Sequence, residues 1–247
     1  MKGRTNRWKI LIKLLDNLVN MMILAIFLLF LGYSIYVIHD FSRVYAAANF
    51  HQYEEYRPQS SQNPAFEELT EKNEEVLGWI TVYDTHIDYP FVQAEDNEKY
   101  VNTDIEGNYS LGGSIFLDCS NQKNFSDELS IFYGHHMAKR TMFGDIEEFQ
   151  RQEYLDTHTK GNLYYGEKDH EIEFFAFLKV DAYDNEIYNP VLKKEDREAY
   201  LQNIYKQASC RRQIEISEGE HLIILSTCTS ETTNGRYVLV GKVYVGE

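Results

Sequence analysis

The spacing of apolar and polar positions changes character along the chain, and each change predicts a different element. From Leu18 to Ile38 polar positions nearly vanish, with Met21-Met22-Ile23-Leu24-Ala25-Ile26-Phe27-Leu28-Leu29-Phe30-Leu31 at the centre. These 21 residues match the roughly 20 that cross a bilayer as a helix. A cleaved signal peptide has an apolar stretch of only about 7–15 residues. The small residues Ala46-Ala47-Ala48 resemble a cleavage site but lie past His39, Asp40 and Arg43, so an uncleaved anchor is expected. Residues 39–64 read as a polar segment with Ser60-Ser61-Gln62-Asn63 as a linker, and Phe66, Leu69, Val76 and Leu77 then fall at near-helical spacing.

From Gly78 onward the pattern turns to short runs rich in β-branched and aromatic residues. Trp79–Tyr83 and Ile87–Val92 read as strands around a turn at Asp84-Thr85, followed by strands at Ser114–Asp118 and Leu129–Gly134. Leu163–Tyr165, Ile172–Val180, His221–Leu225 and Tyr237–Val240 continue the series. Helical mixing of apolar and acidic residues predicts helices over 141–156 and over Lys193–Ala208. About eight strands with few helices predict a mainly β fold with peripheral helices, an antiparallel barrel or sandwich. No internal repeat or low-complexity tract is visible.

Charge changes this picture at one end. Lys2, Arg4, Arg7, Lys9 and Lys13 face Asp16 alone before residue 39, a net +4, which leaves −19 of the overall −15 to the rest. A basic flank stays on the cytoplasmic side of a span, so the acidic remainder is expected outside the cell. So acidic a body repels phosphate backbones, and nucleic acid is not an expected partner. The expected organisation is a cytoplasmic segment 1–17, a transmembrane anchor 18–38, an extracellular linker 39–64 and a globular domain 65–247 outside the cell.

Cys119, Cys210 and Cys228 make an odd number of cysteines, which in an exported protein hints at a free thiol. Nothing in the sequence argues for pairing Cys119 with Cys210. Cys228 stands at the mouth of the apolar run Leu222-Ile223-Ile224-Leu225, where a buried strand holds a side chain rigidly yet lets it meet solvent. Arg236 opens the next apolar run, so a hairpin over the Thr229–Gly235 loop brings it back beside Cys228. A thiolate needs a proton-transfer partner, usually histidine. His39 adjoins the anchor, and His51, His86, His158 and His170 sit in polar, loop-like surroundings. His221 is seven residues from Cys228 on one strand, more than about 20 Å along an extended chain. His135 and His136, at the end of Ile131-Phe132-Tyr133-Gly134, remain. A cysteine to attack a carbonyl, a histidine to protonate the departing amine and an arginine to hold the oxyanion or the substrate backbone form a coherent set.

The residues Ile224-Leu225-Ser226-Thr227-Cys228 resemble the T-L-x-T-C signature of sortases, and Tyr133-Gly134-His135-His136-Met137 resembles their Gly-His strand end. Arg236 matches the family's third residue. Gly78-Trp79-Ile80, Gly113-Ser114-Ile115-Phe116-Leu117-Asp118 and Met142-Phe143-Gly144 are similar to class B members. The resemblance covers about residues 65–247. It departs at Ile224, where the signature has threonine and a packing change alone is expected, and in the eight-residue step from Cys228 to Arg236.

The resemblance implies an eight-stranded sortase-type β-barrel behind N-terminal helices and a transmembrane helix. It implies Cys228, His135 and Arg236 as catalytic residues, with His135 chosen because it directly follows the glycine. Ser226 and Thr227 are candidate hydrogen-bond donors to substrate or thiolate. The implied reaction cleaves a Thr–Gly or analogous bond in the C-terminal sorting signal of a surface protein. It then passes the acyl group to a peptidoglycan precursor amine. A purely hydrolytic cysteine protease and a non-catalytic adhesion domain are the competing readings. No cofactor or metal is expected: Asn102–Gly107 mimics half a calcium loop, but Gly113 stands where its glutamate belongs. Zinc spacings and phosphate-binding loops are missing.

Overall fold

The computed structural model describes residues 2–47, 53–58, 64–217 and 219–244; the linker expected at Ser60–Asn63, His51 and Ala48 lie outside them. The chain divides into two compact units, 1–44 and 45–247. Helix α1, Lys2–Ala47, dominates the first. Its stretch Trp8–Ser42 is long and apolar enough to cross a membrane, and its described side chains are exposed throughout.

The second unit opens with helix α2, Pro64–Lys72, which buries Phe66 and Leu69. Proline at the first helical position costs no hydrogen bond and presets the backbone angle. Val76 and Leu77 do not extend this helix, as their spacing suggested, but begin strand β1, Val76–Val82. Asn73 intervenes: its backbone N–H closes the helix on Leu69 O, and its side-chain oxygen accepts the Glu75 N–H at 3.0 Å, a local turn that competes with helix.

The remaining strands are β2, Asp88–Val92, β3, Ile115–Leu117, β4, Leu129–Tyr133, β5, Lys160–Tyr165, and β6, Lys168–Asp181. They are followed by β7, Cys210–Arg211, β8, Glu220–Cys228, and β9, Gly235–Tyr244. The order is β5-β1-β2-β3-β4-β8-β9-β6, and β5 pairs back onto β6, closing an eight-stranded barrel. The two-residue β7 merely extends β6 at Ala176 and Phe177. The barrel is not wholly antiparallel as the strand pattern suggested: β2–β3 and β4–β8 are parallel. The long connections needed for parallel neighbours are supplied by residues 93–114 and 134–219.

The predicted helix over 141–156 is broken. Gly144–Gln150 is a 3-10 helix, Arg151 is extended, and helix α3 spans Gln152–Thr157. Helix α4, Arg197–Gln207, falls within the predicted 193–208.

Strand β8 shows why its sequence is apolar without alternation. Ile223 and Leu225 point into the barrel with Phe132, Phe177 and Leu239. Leu222 and Ile224 point outward into a second layer with Val238, Val240 and the α4 residues Tyr200 and Ile204. A strand covered on both faces must be apolar at every position. Ile224 is fully buried in that outer layer.

Candidate active site

The parallel pairing of β4 with β8 places the site. Both strands run the same way, with Tyr133 opposite Ser226, so their C-terminal ends emerge together. The Gly134 N–H extends the ladder to Ser226 O at 3.1 Å. His135 then leaves one strand at the rim where Cys228 ends the other. Strand β9 returns antiparallel and sets Arg236 directly opposite Cys228. Paired residues share a sheet face, so the thiol and the guanidinium project to one side.

Cys228, His135, Arg236, Ser226 and Thr227 all line one cavity of about 360 Å³. Cys228 is exposed, whereas His135 and Arg236 are half-buried. Arg236 donates from Nη1 to its neighbour Gly235 O at 2.9 Å. The His135 Nε2 lies 2.7 Å from Val101 O. A carbonyl only accepts, so Nε2 carries the proton in this contact and Nδ1 is the nitrogen left to exchange one. His136 points elsewhere, to Glu147 Oε2 at 2.9 Å, with its ring edge toward Tyr237.

Packing, not backbone freedom, accounts for Gly134. Its backbone makes no left-handed turn. A Cβ there would lie 2.4 Å from Ile115 Cδ1 and 2.8 Å from Phe143 Cδ2, so any larger residue forces these buried side chains to shift. Gly144 is similarly tight, with a Cβ meeting Met137 O at 2.5 Å. This packing helps fold the 135–144 loop back so that the Phe143 N–H reaches His135 O at 3.0 Å.

Ser226 is not idle: its Oγ lies 2.7 Å from the Tyr188 hydroxyl. Burial pushes the Tyr188 phenol up to about 12, so the hydroxyl keeps its proton at neutral pH. Thr227 is almost wholly buried, and its Oγ1 has no hydrogen-bond partner among the described residues. Tyr188, Asn97, Val101 and Phe116 also line the cavity. Sequence reasoning missed them because they come from connections and from strand positions with no chemical signature. Among the described residues the lining carries one cation, Arg236, and no carboxylate, in a chain with 39 acidic residues.

The other thiols stand apart. All three cysteines are free, and buried Cys210 donates to Gln150 O at 3.1 Å, its thiol pushed up by burial. His170, expected in a loop, lies in β6, buried against Tyr165 and bonded to Tyr244 O.

The Sortase domain family model matches residues 80–244. Sortase B of Listeria monocytogenes is 32% identical over 178 residues, covering 71% of this chain and 72% of that protein. A Streptococcus pyogenes class B sortase involved in pilus biogenesis has a similar structure, with 36% identity, a TM-score of 0.67 and coverage of 72% of this chain and 97% of that one. A sortase B from the Type II pilus of Streptococcus pneumoniae is 44% identical, with a TM-score of 0.62 and coverage of 71% and 96%. The closed eight-stranded barrel, the cysteine at its rim and these likenesses agree: this chain belongs to the sortase family, in class B, and is a cysteine transpeptidase.

Proposed function

We propose that Cys228 attacks the carbonyl of a Thr–Gly or analogous bond in the C-terminal sorting signal of a surface protein. The thiolate carbon–sulfur bond forms, the peptide C–N bond breaks, and His135 gives its proton to the departing amine. The product is an acyl-enzyme thioester. His135 then takes a proton from the incoming amine of a peptidoglycan precursor, which displaces the sulfur and restores the thiolate. Arg236, always charged, donates to the oxyanion or fixes the substrate backbone. Ser226 and Thr227 contribute hydroxyls at the strand end. The observation that carries this reading is the meeting of Cys228, His135 and Arg236 in one cavity, with Cys228 paired across the hairpin to Arg236.

In this reading residues 1–17 are cytoplasmic, 18–38 span the membrane, 39–64 link, and 65–247 form the catalytic domain outside the cell. The apolar stretch of α1 and the basic residues before it support that orientation.

The test is a panel of sorting-signal peptides incubated with the full chain, with and without an amine nucleophile, followed by mass spectrometry. Product shifting from acid to amide on adding amine supports transpeptidation; acid alone would identify a hydrolase. An amine on a second surface protein is the alternative acceptor, favoured by the pilus association of the two streptococcal relatives. Peptidoglycan-type amines and protein lysines, offered in competition, separate the two.

A further inference from the structure

The His135 imidazole is held by a backbone carbonyl, and a backbone carbonyl is only as fixed as the turn that carries it. Val101 ends the 3-10 turn Lys99–Val101. That turn is fastened from behind, outside the barrel, by residues that precede the stretch matched by the family model.

Glu75, in the connection between α2 and β1, accepts from the Tyr100 hydroxyl at 2.5 Å and from Lys99 Nζ at 2.5 Å, both on Oε2. Asn73 Nδ2 donates to the Tyr100 hydroxyl at 2.9 Å and to Ile105 O at 2.8 Å. Tyr100 is 2% exposed, so its ring is packed and its one polar atom is doubly bonded. From the other side, Gly113 (φ +56°) presses so close that a Cβ would lie 2.5 Å from both the Tyr100 and the Val101 carbonyl oxygens. The Ser114 N–H holds Tyr100 O at 3.0 Å. Hydrogen bonds to an ionised carboxylate are roughly twice as strong as neutral ones. Glu75 therefore fastens the turn from outside with charge-assisted bonds, while Asp96 Oδ1 caps its start by accepting the Glu98 and Lys99 N–H groups at 2.9 Å each.

We propose that Glu75, Tyr100 and Asn73 form a clamp that positions His135 through the Val101 carbonyl. They are positioning residues and touch no substrate. The role rests on the reading of His135 as the proton-transfer group. It means that the segment before the barrel serves the chemistry as well as the fold. Freeing the turn lets the carbonyl drift and the imidazole with it. A misplacement of about 1 Å costs on the order of 100-fold in rate, and a loosened hydrogen bond costs less, about tenfold.

The test uses the full chain in detergent micelles, with Glu75→Gln, Tyr100→Phe and the double variant, each close in volume to the residue replaced. For a peptide that the parent cleaves, kcat falls about tenfold and KM stays within about twofold, as expected when a catalytic group is misaligned and binding is not. The double variant loses less than the two single losses combined, because the Glu75–Tyr100 bond is common to both while the Lys99 and Asn73 bonds are lost separately. In a ¹H–¹⁵N spectrum, assigned with His135→Gln, the His135 Nε2–H is a protected signal in the parent and exchanges rapidly with water in both variants. If Glu75→Gln fails to fold, Tyr100→Phe alone decides, since it removes a single hydroxyl. An unchanged Nε2–H signal in the folded variants overturns the clamp. A parent that cleaves no sorting peptide overturns the proposed function instead, and the Nε2–H signal still decides the clamp.

Discussion

Replacing Gly134 by alanine tests whether close packing, rather than a special turn, accounts for the glycine before His135. The added Cβ would stand 2.4 Å from Ile115 Cδ1 and 2.8 Å from Phe143 Cδ2. Carbon atoms rest at about 3.5–4.0 Å, so the overlap with Ile115 exceeds about 1 Å. Both neighbours are essentially without exposure and have nowhere to move but into the barrel core. Overpacking of this kind costs about 1–3 kcal/mol. For a domain of roughly 150–250 residues each kcal/mol lowers the melting temperature by about 2–4 °C, so a fall of about 2–12 °C is expected by circular dichroism. Ile115→Val removes the clashing Cδ1 and by itself costs about 0.5–1.5 kcal/mol. In the double variant the two losses do not add: it is more stable than their sum by about 0.5 kcal/mol or more. The rescue is partial because Phe143 remains. A Gly134→Ala protein that melts with the parent, or a double variant whose losses add fully, would refute the packing argument.

Cys228→Ala, His135→Ala and Arg236→Ala are each expected to abolish transpeptidation while the far-ultraviolet spectrum stays that of the parent; full activity in any one removes that residue from its role. The loss for Arg236→Ala, if it serves the oxyanion, is about 10²–10³ in kcat. Burial alone would push the Glu75 carboxyl up, but the bonds from Lys99 and Tyr100 outweigh it and hold it below its ordinary value. A carboxyl depressed on folding adds stability that is complete above its unfolded value of about 4.3 and vanishes as pH falls through the folded one. Glu75→Gln therefore melts below the parent at pH 7, and the gap closes in acid; a gap independent of pH would contradict the assignment. Asp145, fully buried, accepts from the His86 N–H at 2.6 Å and meets His86 Nδ1 at 2.8 Å and Arg140 Nε at 3.6 Å. Asp145→Ala is expected to cost about 1–3 kcal/mol, and Asp145→Asn, which keeps one acceptor, less; equal melting of the two would show that the acceptor is irrelevant.

The sequence carried the strands far better than their partners. Ile223 and Leu225 announce a buried strand by composition, yet nothing in them says that β4 is a parallel neighbour. That pairing, set by packing across more than ninety residues, is what brings His135 to the rim beside Cys228. Short-range signals were right where one force acts, as in the Cys228–Arg236 hairpin. They failed where two compete: Val76 and Leu77 fit a helical period, but the Asn73 turn and the barrel edge recruit them into β1. The segment 141–156 has a helical mixture of residues, yet the positive φ of Met142 and the extended Arg151 break it. The far wall of the cavity was illegible for another reason. Val101 acts through a backbone carbonyl, and Tyr188 through one hydroxyl among nineteen tyrosines.

The most direct measurement is the mass of the protein itself after brief exposure to a cleavable sorting peptide and acid quenching. The account predicts an added acyl fragment mapped to Cys228, released by hydroxylamine and lost in Cys228→Ala. Peptide turnover with no adduct on that sulfur, or an adduct that persists in Cys228→Ala, would contradict it.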